Sequence, residues 1–322
     1  MGQPIITVVG SFAVGMTIRS DRMPVSGETL IGRDFNMGPG GKGSNQAVGV
    51  ARLGAKSYFA GVIGDDRLGD VAMELYAHED VNTSCLKRTP RMPTGVGLIL
   101  LDSSGANRII LDIAANKLVD VAFVDALVPQ LAASTVVMTV LEIPVAAAVQ
   151  AMALGKHNGA ITLMNPAPAT QFDPGILAHV DYLTPNESEL RILMGLAPDD
   201  PTSTGELARQ LQVHGANTIV VTLGEQGALI VSKEQPLTHV LGLPISVVDT
   251  TGAGDSFSAG LAMALAEGKP LLQAVQFANC CGALACTQLG VIPAMAQRAH
   301  AEQLFVNHYG EHAKASVLKL LT

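Results

Sequence analysis

Residues 247–260 read VVDTTGAGDSFSAG, an apolar strand end that runs into a Thr- and Gly-rich turn and opens directly onto an amphipathic helix. N–H groups at a helix start lack intrahelical partners and carry partial positive charge, so they suit an arriving anion. Gly252 and Gly254 remove the Cβ atoms that would hold a phosphate away from those donors. Asp255, in the first turn of the helix, would repel that phosphate, and its presence makes sense if it takes a proton from the attacking group. Donors for a moving phosphoryl group and a base for a hydroxyl are what phosphoryl transfer needs. An Asp here also favours the helix dipole without doing chemistry, and Gly-rich turns are common, so the surrounding chain has to decide.

The chain's 322 residues suggest one large core with a small appendage. Hydrophobic residues make up 48%, enough to fill that core. A net charge of −8 with no basic block makes nucleic acid and anionic membranes poor partners and leaves a small metabolite as the better one. The start, MGQPIITVVG, lacks a basic region and a small-residue cleavage site, which argues for a cytoplasmic protein. The longest uncharged run, 270–297, is interrupted by Gln273, Gln276, Asn279 and Gln288 and closed by Gly290 and Pro293, so it reads as a buried helix followed by a loop. Cys85, Cys280, Cys281 and Cys286 fit no zinc spacing and read as free thiols of a reducing compartment.

Along the chain, 5–10 is a buried strand. The polar segment 16–35 reads as two exposed strands with a turn near Pro24 to Gly27. The Gly-rich stretch 38–43, GPGGKG, starts a helix from about Ser44 to Leu53. It is not a P-loop, because Lys42 is followed by Gly43 rather than Ser or Thr. Strand and helix then alternate through 58–64, 66–78, 135–141, 144–154, 160–164 and 180–184, the pattern of a mostly parallel α/β sheet covered on both faces. A hairpin, 94–101 and 108–113 around a tip at 102–107, pairs with the exposed strands as a small β lid. The later half predicts a helix at 204–213, strands at 218–223, 228–231 and 245–248, helices after Gly254 and from Leu271, and a peripheral helical stretch over 294–320.

With GGKGSNQA at 40–47, TPNESE at 184–189, TLGEQG at 222–227 and DTTGAGDSF at 249–257, the chain resembles the ribokinase-like, or PfkB, family of carbohydrate kinases. NPAPA at 165–169 and SGET at 26–29 bring it nearest to the ribokinases. The resemblance spans essentially the whole chain with the motifs in family order. It implies a three-layer α/β core (1–14, 38–92 and 115–322), a β lid (15–37 and 93–114), ATP as phosphoryl donor and Mg²⁺. Asp255 matches the catalytic base, and the N–H groups of Gly252, Ala253 and Gly254 match the anion hole. Gly41, Lys42, Asn45 and Glu142 match the sugar pocket. Asn186, Thr222, Gly224, Gly227 and Asn279 match nucleotide contacts, and Glu189 an indirect Mg²⁺ contact. Asn186 with Glu189 also reads as a helix capping box, and both roles can hold together. Asp249 and Thr251, with the loop 287–294, match the monovalent cation site of ribokinases, which implies K⁺. The resemblance also implies a homodimer through the lid.

One departure stands out. Ribokinases carry an Asn and an Asp just after the Gly-Ser that ends the first strand, and both bond the sugar; this chain has Ala13 and Gly15 there. Sites built to bond a hydroxyl discriminate strongly, so a changed sugar is expected. Ribose-like pentoses lead, with deoxyribose, a ketohexose, a sugar acid met by Arg19, or a nucleoside as alternatives. A non-catalytic sugar or nucleotide sensor is the alternative of another class, and Asp255 argues against it.

Overall fold

The computed structural model describes residues 2–103, 107–171, 173–310 and 317–319. Strand β1 (Ile5–Val9) alternates its side chains between two apolar clusters, Ile6 and Val8 facing one and Val9 the other. The chain leaves the core as β2 (Ala13–Arg19), returns through β3 (Arg33–Gly40) and enters α1 (Lys42–Arg52). It continues through β4 (Lys56–Gly64), α2 (Arg67–His78) and β5 (Leu86–Thr89), then makes a second excursion as β6 (Gly95–Leu101) and β7 (Asn107–Asp112). Two short helices follow, α3 (Val121–Asp125) and α4 (Val128–Ala132). Alternation resumes with β8 (Val136–Val140), α5 (Val145–His157), β9 (Ile161–Asn165), β10 (Tyr182–Leu183), α6 (Glu187–Leu193), α7 (Thr204–Val213) and β11 (Thr218–Thr222). The remainder is β12 (Gly227–Ser232), β13 (Thr238–Leu241), α8 (Ala253–Ala266), α9 (Leu271–Ala285), α10 (Val291–Ala294), α11 (Arg298–Tyr309) and β14 (Val317–Lys319).

Ten strands form one sheet in the order β14-β13-β12-β11-β10-β9-β8-β1-β4-β5. It is parallel from β5 to β11 and antiparallel over the last three pairings. Val48 of α1, Tyr76 of α2, Leu261 of α8 and Phe277 of α9 belong to the cluster on one face. Phe123, Leu131, Met152, Leu190 and Leu211, from α3 to α7, fill the other. A sheet buried on both faces explains why its strands read as unbroken apolar runs.

A separate four-stranded sheet has the order β3-β2-β6-β7. On one face Met37, Met16, Leu98 and Ile110 stand in register across all four strands, and all but Met16 are exposed. The other face is nearly bare only where it adjoins the core: Ala13 lies between Gly40 and Gly95, and Gly15 between Gly38 and Gly97, before Thr17 and Ile99 follow. Asn116 fastens this sheet to the core where β1 gives way to β2. Its Oδ1 accepts from the Phe12 N–H at 3.0 Å, and its Nδ2 donates to the carbonyls of Phe12 and Ile113, each at 2.8 Å.

Three expectations differ from the structure. Residues 245–248 form no strand; this run is β-branched but largely exposed, and the Val248 N–H donates to the Cys286 carbonyl instead of a ladder. The helix expected from about Ser44 begins at Lys42, inside the Gly-rich stretch 38–43, whose Gly40 still pairs with Ala13 as a strand. Among the described residues of 294–320, only α11 is a long helix, and Val317–Lys319 pairs with β13 as a strand. Residues 311–316 and 320, and part of the hairpin tip at 104–106, lie outside the described residues.

Candidate active site

Two helix N-termini, those of α1 and α8, meet beyond the C-terminal ends of the parallel strands, the usual crevice for ligands in open α/β sheets. They can approach because an added Cβ on Gly49 would fall 2.7 Å from the Ala259 Cβ, so α1 and α8 touch nearly backbone to backbone. The start of α1 is pressed against the end of β1 in the same way: a Cβ on Gly43 would fall 2.5 Å from the Ser11 nitrogen.

Asp255 is buried in the first turn of α8. Asn45 Nδ2 donates to its Oδ2 at 2.8 Å, and Gln46 Nε2 donates to its Oδ1 at 3.1 Å. Gln46 Nε2 also reaches Asn165 Oδ1 at 3.2 Å, and Asn165 Nδ2 donates to the Thr184 carbonyl at 2.9 Å. The carboxylate is thus aimed by two amides, one of them braced by the end of β9. Asn45 Oδ1 and Gln46 Oε1 are buried with no hydrogen-bond partner among the described residues. Unpaired buried acceptors are costly, and a donor hydroxyl on a ligand would satisfy them.

Glu142, just past β8, caps α1. Its Oε2 accepts from the Lys42 N–H at 2.8 Å and from Ser11 Oγ at 2.6 Å. Burial pushes the Glu142 carboxyl above its ordinary value, against the opposing pull of Ser11 and the Lys42 charge. Burial likewise raises Glu189, which Lys42 partly offsets. Burial would lower Lys42, but the charges of Asp255, Glu142 and Glu189 outweigh it and hold the ammonium above its ordinary value. Lys42 is therefore a permanent cation facing three carboxylates.

The anion cradle follows from Gly252, the left-handed N-cap of α8 at φ 84°. The N–H of Ala253 is taken by the Thr250 carbonyl at 3.2 Å, so it is not a free donor. The N–H groups of Gly252, Gly254 and Asp255 have no backbone partner among the described residues. A Cβ on Gly254 would meet nothing within 4 Å, which leaves that donor open.

Asn186 and Glu189 do form a capping box, with each side chain bonding the other's N–H at 2.8 Å. Asn186 bridges to Thr222, so those two residues are neighbours, and Gly224 follows with open space at its Cα. Gly227 and Asn279 have structural work of their own. A Cβ on Gly227 would strike the Val240 carbonyl at 2.2 Å, and Asn279 Nδ2 donates to the carbonyls of Val240 and Leu241 at 3.4 and 3.3 Å.

Asp249 accepts from the N–H and hydroxyl of Thr251 at 2.9 and 2.7 Å and from the Gly290 N–H at 3.2 Å. Burial would raise this carboxyl, but those bonds and the charge of Arg19 hold it below its ordinary value. Arg19 of the small sheet is near enough for its charge to act on Asp249, without an ion pair between the two. Ser11, Gln46 and Asn165 were not singled out by sequence reasoning, although each lies inside or beside a quoted motif. Gln46 follows Asn45, but only the fold shows that both amides face Asp255.

The model of the pfkB family of carbohydrate kinases matches residues 4–298. A ribokinase of Haemophilus influenzae is 34% identical over 285 residues, spanning 88% of this chain and 93% of that protein. A deoxyribokinase of Salmonella typhi is 35% identical over 253 residues, spanning 78% and 82%. The solved structure of Arabidopsis thaliana ribokinase complexed with ribose and ATP superposes with a TM-score of 0.87 at 29% identity, covering 95% of this chain and 99% of that one.

Because burial raises Glu142 above the ordinary 4.5, the folded state binds its proton more tightly than the unfolded chain does. Its ionisation therefore costs stability as pH rises from about 4.5 through the folded value. Urea midpoints from pH 5 to 8 should fall in the wild type relative to Glu142→Gln. A gap that closes or reverses with rising pH would show that Ser11 and Lys42 overcome burial.

Proposed function

The chain belongs to the pfkB family of carbohydrate kinases, and from that premise we propose that it transfers the γ-phosphoryl group of ATP to the primary hydroxyl of a pentose, with Asp255 as general base. The carrying observation is a buried carboxylate gripped by two amides at a helix start whose nearest N–H donors are open. The hydroxyl gives its proton to Asp255 as its oxygen bonds to phosphorus and the bond to ADP breaks, while the unpaired Asn45 and Gln46 oxygens are left to accept from neighbouring hydroxyls of the acceptor. Charge spreading over the transferred group meets the N–H donors of Gly252 and Gly254. Lys42 steadies the surrounding carboxylates.

The nucleotide is assigned to the edge formed by Asn186, Thr222 and Gly224, with Gly227 and Asn279 shaping it from behind. Mg²⁺ neutralises phosphate charge when bound with the nucleotide, and Glu189 would hold it through water, one carboxylate among phosphate ligands being the usual arrangement. Asp249, kept ionised, and Thr251 are assigned to a monovalent cation with the 287–294 loop, which the Gly290 N–H ties to Asp249. Buried thiols at Cys280 and Cys281 and a need for ATP fit the cytoplasm. Among the described residues no helix is long and apolar enough to cross a membrane.

The vacated positions favour an acceptor with fewer ring hydroxyls than ribose. A Cβ on Gly15 would make only ordinary contact, 3.7 Å from Ile99 Cδ1, so the space is real and not filled by packing. The exposed row Met37, Leu98 and Ile110 supports a homodimer through the small sheet, since an apolar row this exposed marks an association surface.

Asp255→Asn should lower kcat for ATP-dependent phosphorylation by about 10²- to 10⁴-fold with the fold intact; an active variant would place the base elsewhere. The double variant Ala13→Asn with Gly15→Asp should raise kcat/KM for ribose over 2-deoxyribose by about tenfold or more, since a restored charged hydrogen bond is worth about 1.5–3 kcal/mol. An unchanged ratio would remove the reading that these positions set the sugar. Sedimentation should show a dimer in the wild type and a monomer in Leu98→Lys with Ile110→Lys; a wild-type monomer would end the dimer reading.

A further inference from the structure

Arg52, at the opposite end of α1 from Lys42 and Asn45, and Glu79, at the end of α2, form a largely buried fork-to-fork ion pair that includes no residue of the site. Arg52 Nε and Nη2 each donate to a Glu79 oxygen at 2.7 Å, and the two side chains are only 13% and 8% exposed. The third nitrogen is not idle. Nη1 donates to the carbonyls of Ile292 at 2.8 Å and Met295 at 3.1 Å, at the C-terminal end of α10.

Helix α10 has four residues, too few to hold its shape through its own hydrogen bonds. It is gripped at both ends: Asp249 Oδ2 takes the Gly290 N–H at its start, and the Arg52 guanidinium takes the carbonyls at its finish. Between those grips its side chains lie on the catalytic turn. A Cβ on Gly252 would fall 2.7 Å from Val291 Cγ1 and 3.0 Å from Met295 Cε, so both side chains rest directly on the Gly252 backbone. Gly252 is the left-handed residue whose conformation sets the direction of the following N–H groups.

We propose that Arg52 and Glu79 are positioning residues for phosphoryl transfer: together they fix α10, and α10 presses Gly252 into the conformation that aims the anion cradle. The inference rests on the kinase reading of that cradle. A buried ion pair adds little net stability over an apolar replacement, while it can fix one arrangement among several. Arginine alone can engage both carboxylate oxygens and still present a donor to the carbonyls; a lysine ammonium cannot span them.

The test uses the full chain, with Arg52→Met, Arg52→Lys, Glu79→Gln and Val291→Ala, each assayed at a temperature where circular dichroism shows it folded. Arg52→Met is expected to lower kcat at least tenfold with the acceptor KM within threefold, and Arg52→Lys to recover little of the loss. Combining Arg52→Met with Val291→Ala should cost less than the product of the single losses, because both act through α10. Hydrogen–deuterium exchange, which needs no turnover, should quicken over 249–256 in Arg52→Met and in Glu79→Gln while the strands of the large sheet stay protected. Unchanged exchange over 249–256, or kcat losses that multiply, or a rise in KM in place of a fall in kcat, overturns the proposal. If Arg52→Met does not fold, Arg52→Lys and Glu79→Gln carry the same readouts. A wild-type protein that turns over no acceptor overturns the kinase reading, and the exchange result then decides the positioning role by itself.

Discussion

The grip of Asn45 and Gln46 on the Asp255 carboxylate is the contact on which the rest of the site depends. It joins the first turn of α1 to the first turn of α8, two segments about two hundred residues apart in the chain. Two helix N-termini aimed at one place create a region of positive potential, which favours a carboxylate placed there. The close contact at Gly49 and Ala259 lets the helices meet, and the braced amides decide where the carboxylate points. A carboxylate held this way has little freedom left to lose when a hydroxyl arrives, which is what positioned proton transfer needs.

Around that contact the charges are balanced rather than neutralised. Lys42 faces Asp255, Glu142 and Glu189, and none of these pairs is a close ion pair. The N–H groups of Gly252 and Gly254, which have no backbone partner among the described residues, add donors beside Asp255 without adding a further side-chain charge. Stability is sacrificed locally: buried Glu142 and half-buried Glu189 are both held above their ordinary values.

Much of this was legible in the chain. The run from Val247 to Gly260 carried the Gly-rich turn and the helix start that holds Asp255, and the order of the four motifs carried the layered α/β architecture. What local pattern could not show was partnership across the fold. Gln46 and Asn165 look like ordinary polar residues until the sheet brings them to Asp255. Arg52 reads as a basic residue closing a helix, and only the tertiary structure turns it toward α10. The run at 245–248 failed in the other direction, since β-branched residues favour a strand only where a neighbour offers a ladder, and none does here. Ala253 shows a finer limit, because whether an N–H at a helix start is free depends on the turn that precedes it.

The most direct test of the central claim is the identity of the product. Incubation with Mg-ATP and a pentose, followed by ³¹P NMR with proton coupling, should reveal ADP and a phosphate ester whose phosphorus couples to the two protons of a methylene group. That pattern places the phosphoryl group on a primary hydroxyl, as the proposed transfer to a pentose requires. Inorganic phosphate as the sole new signal, or an ester coupled to a single ring proton, would contradict it.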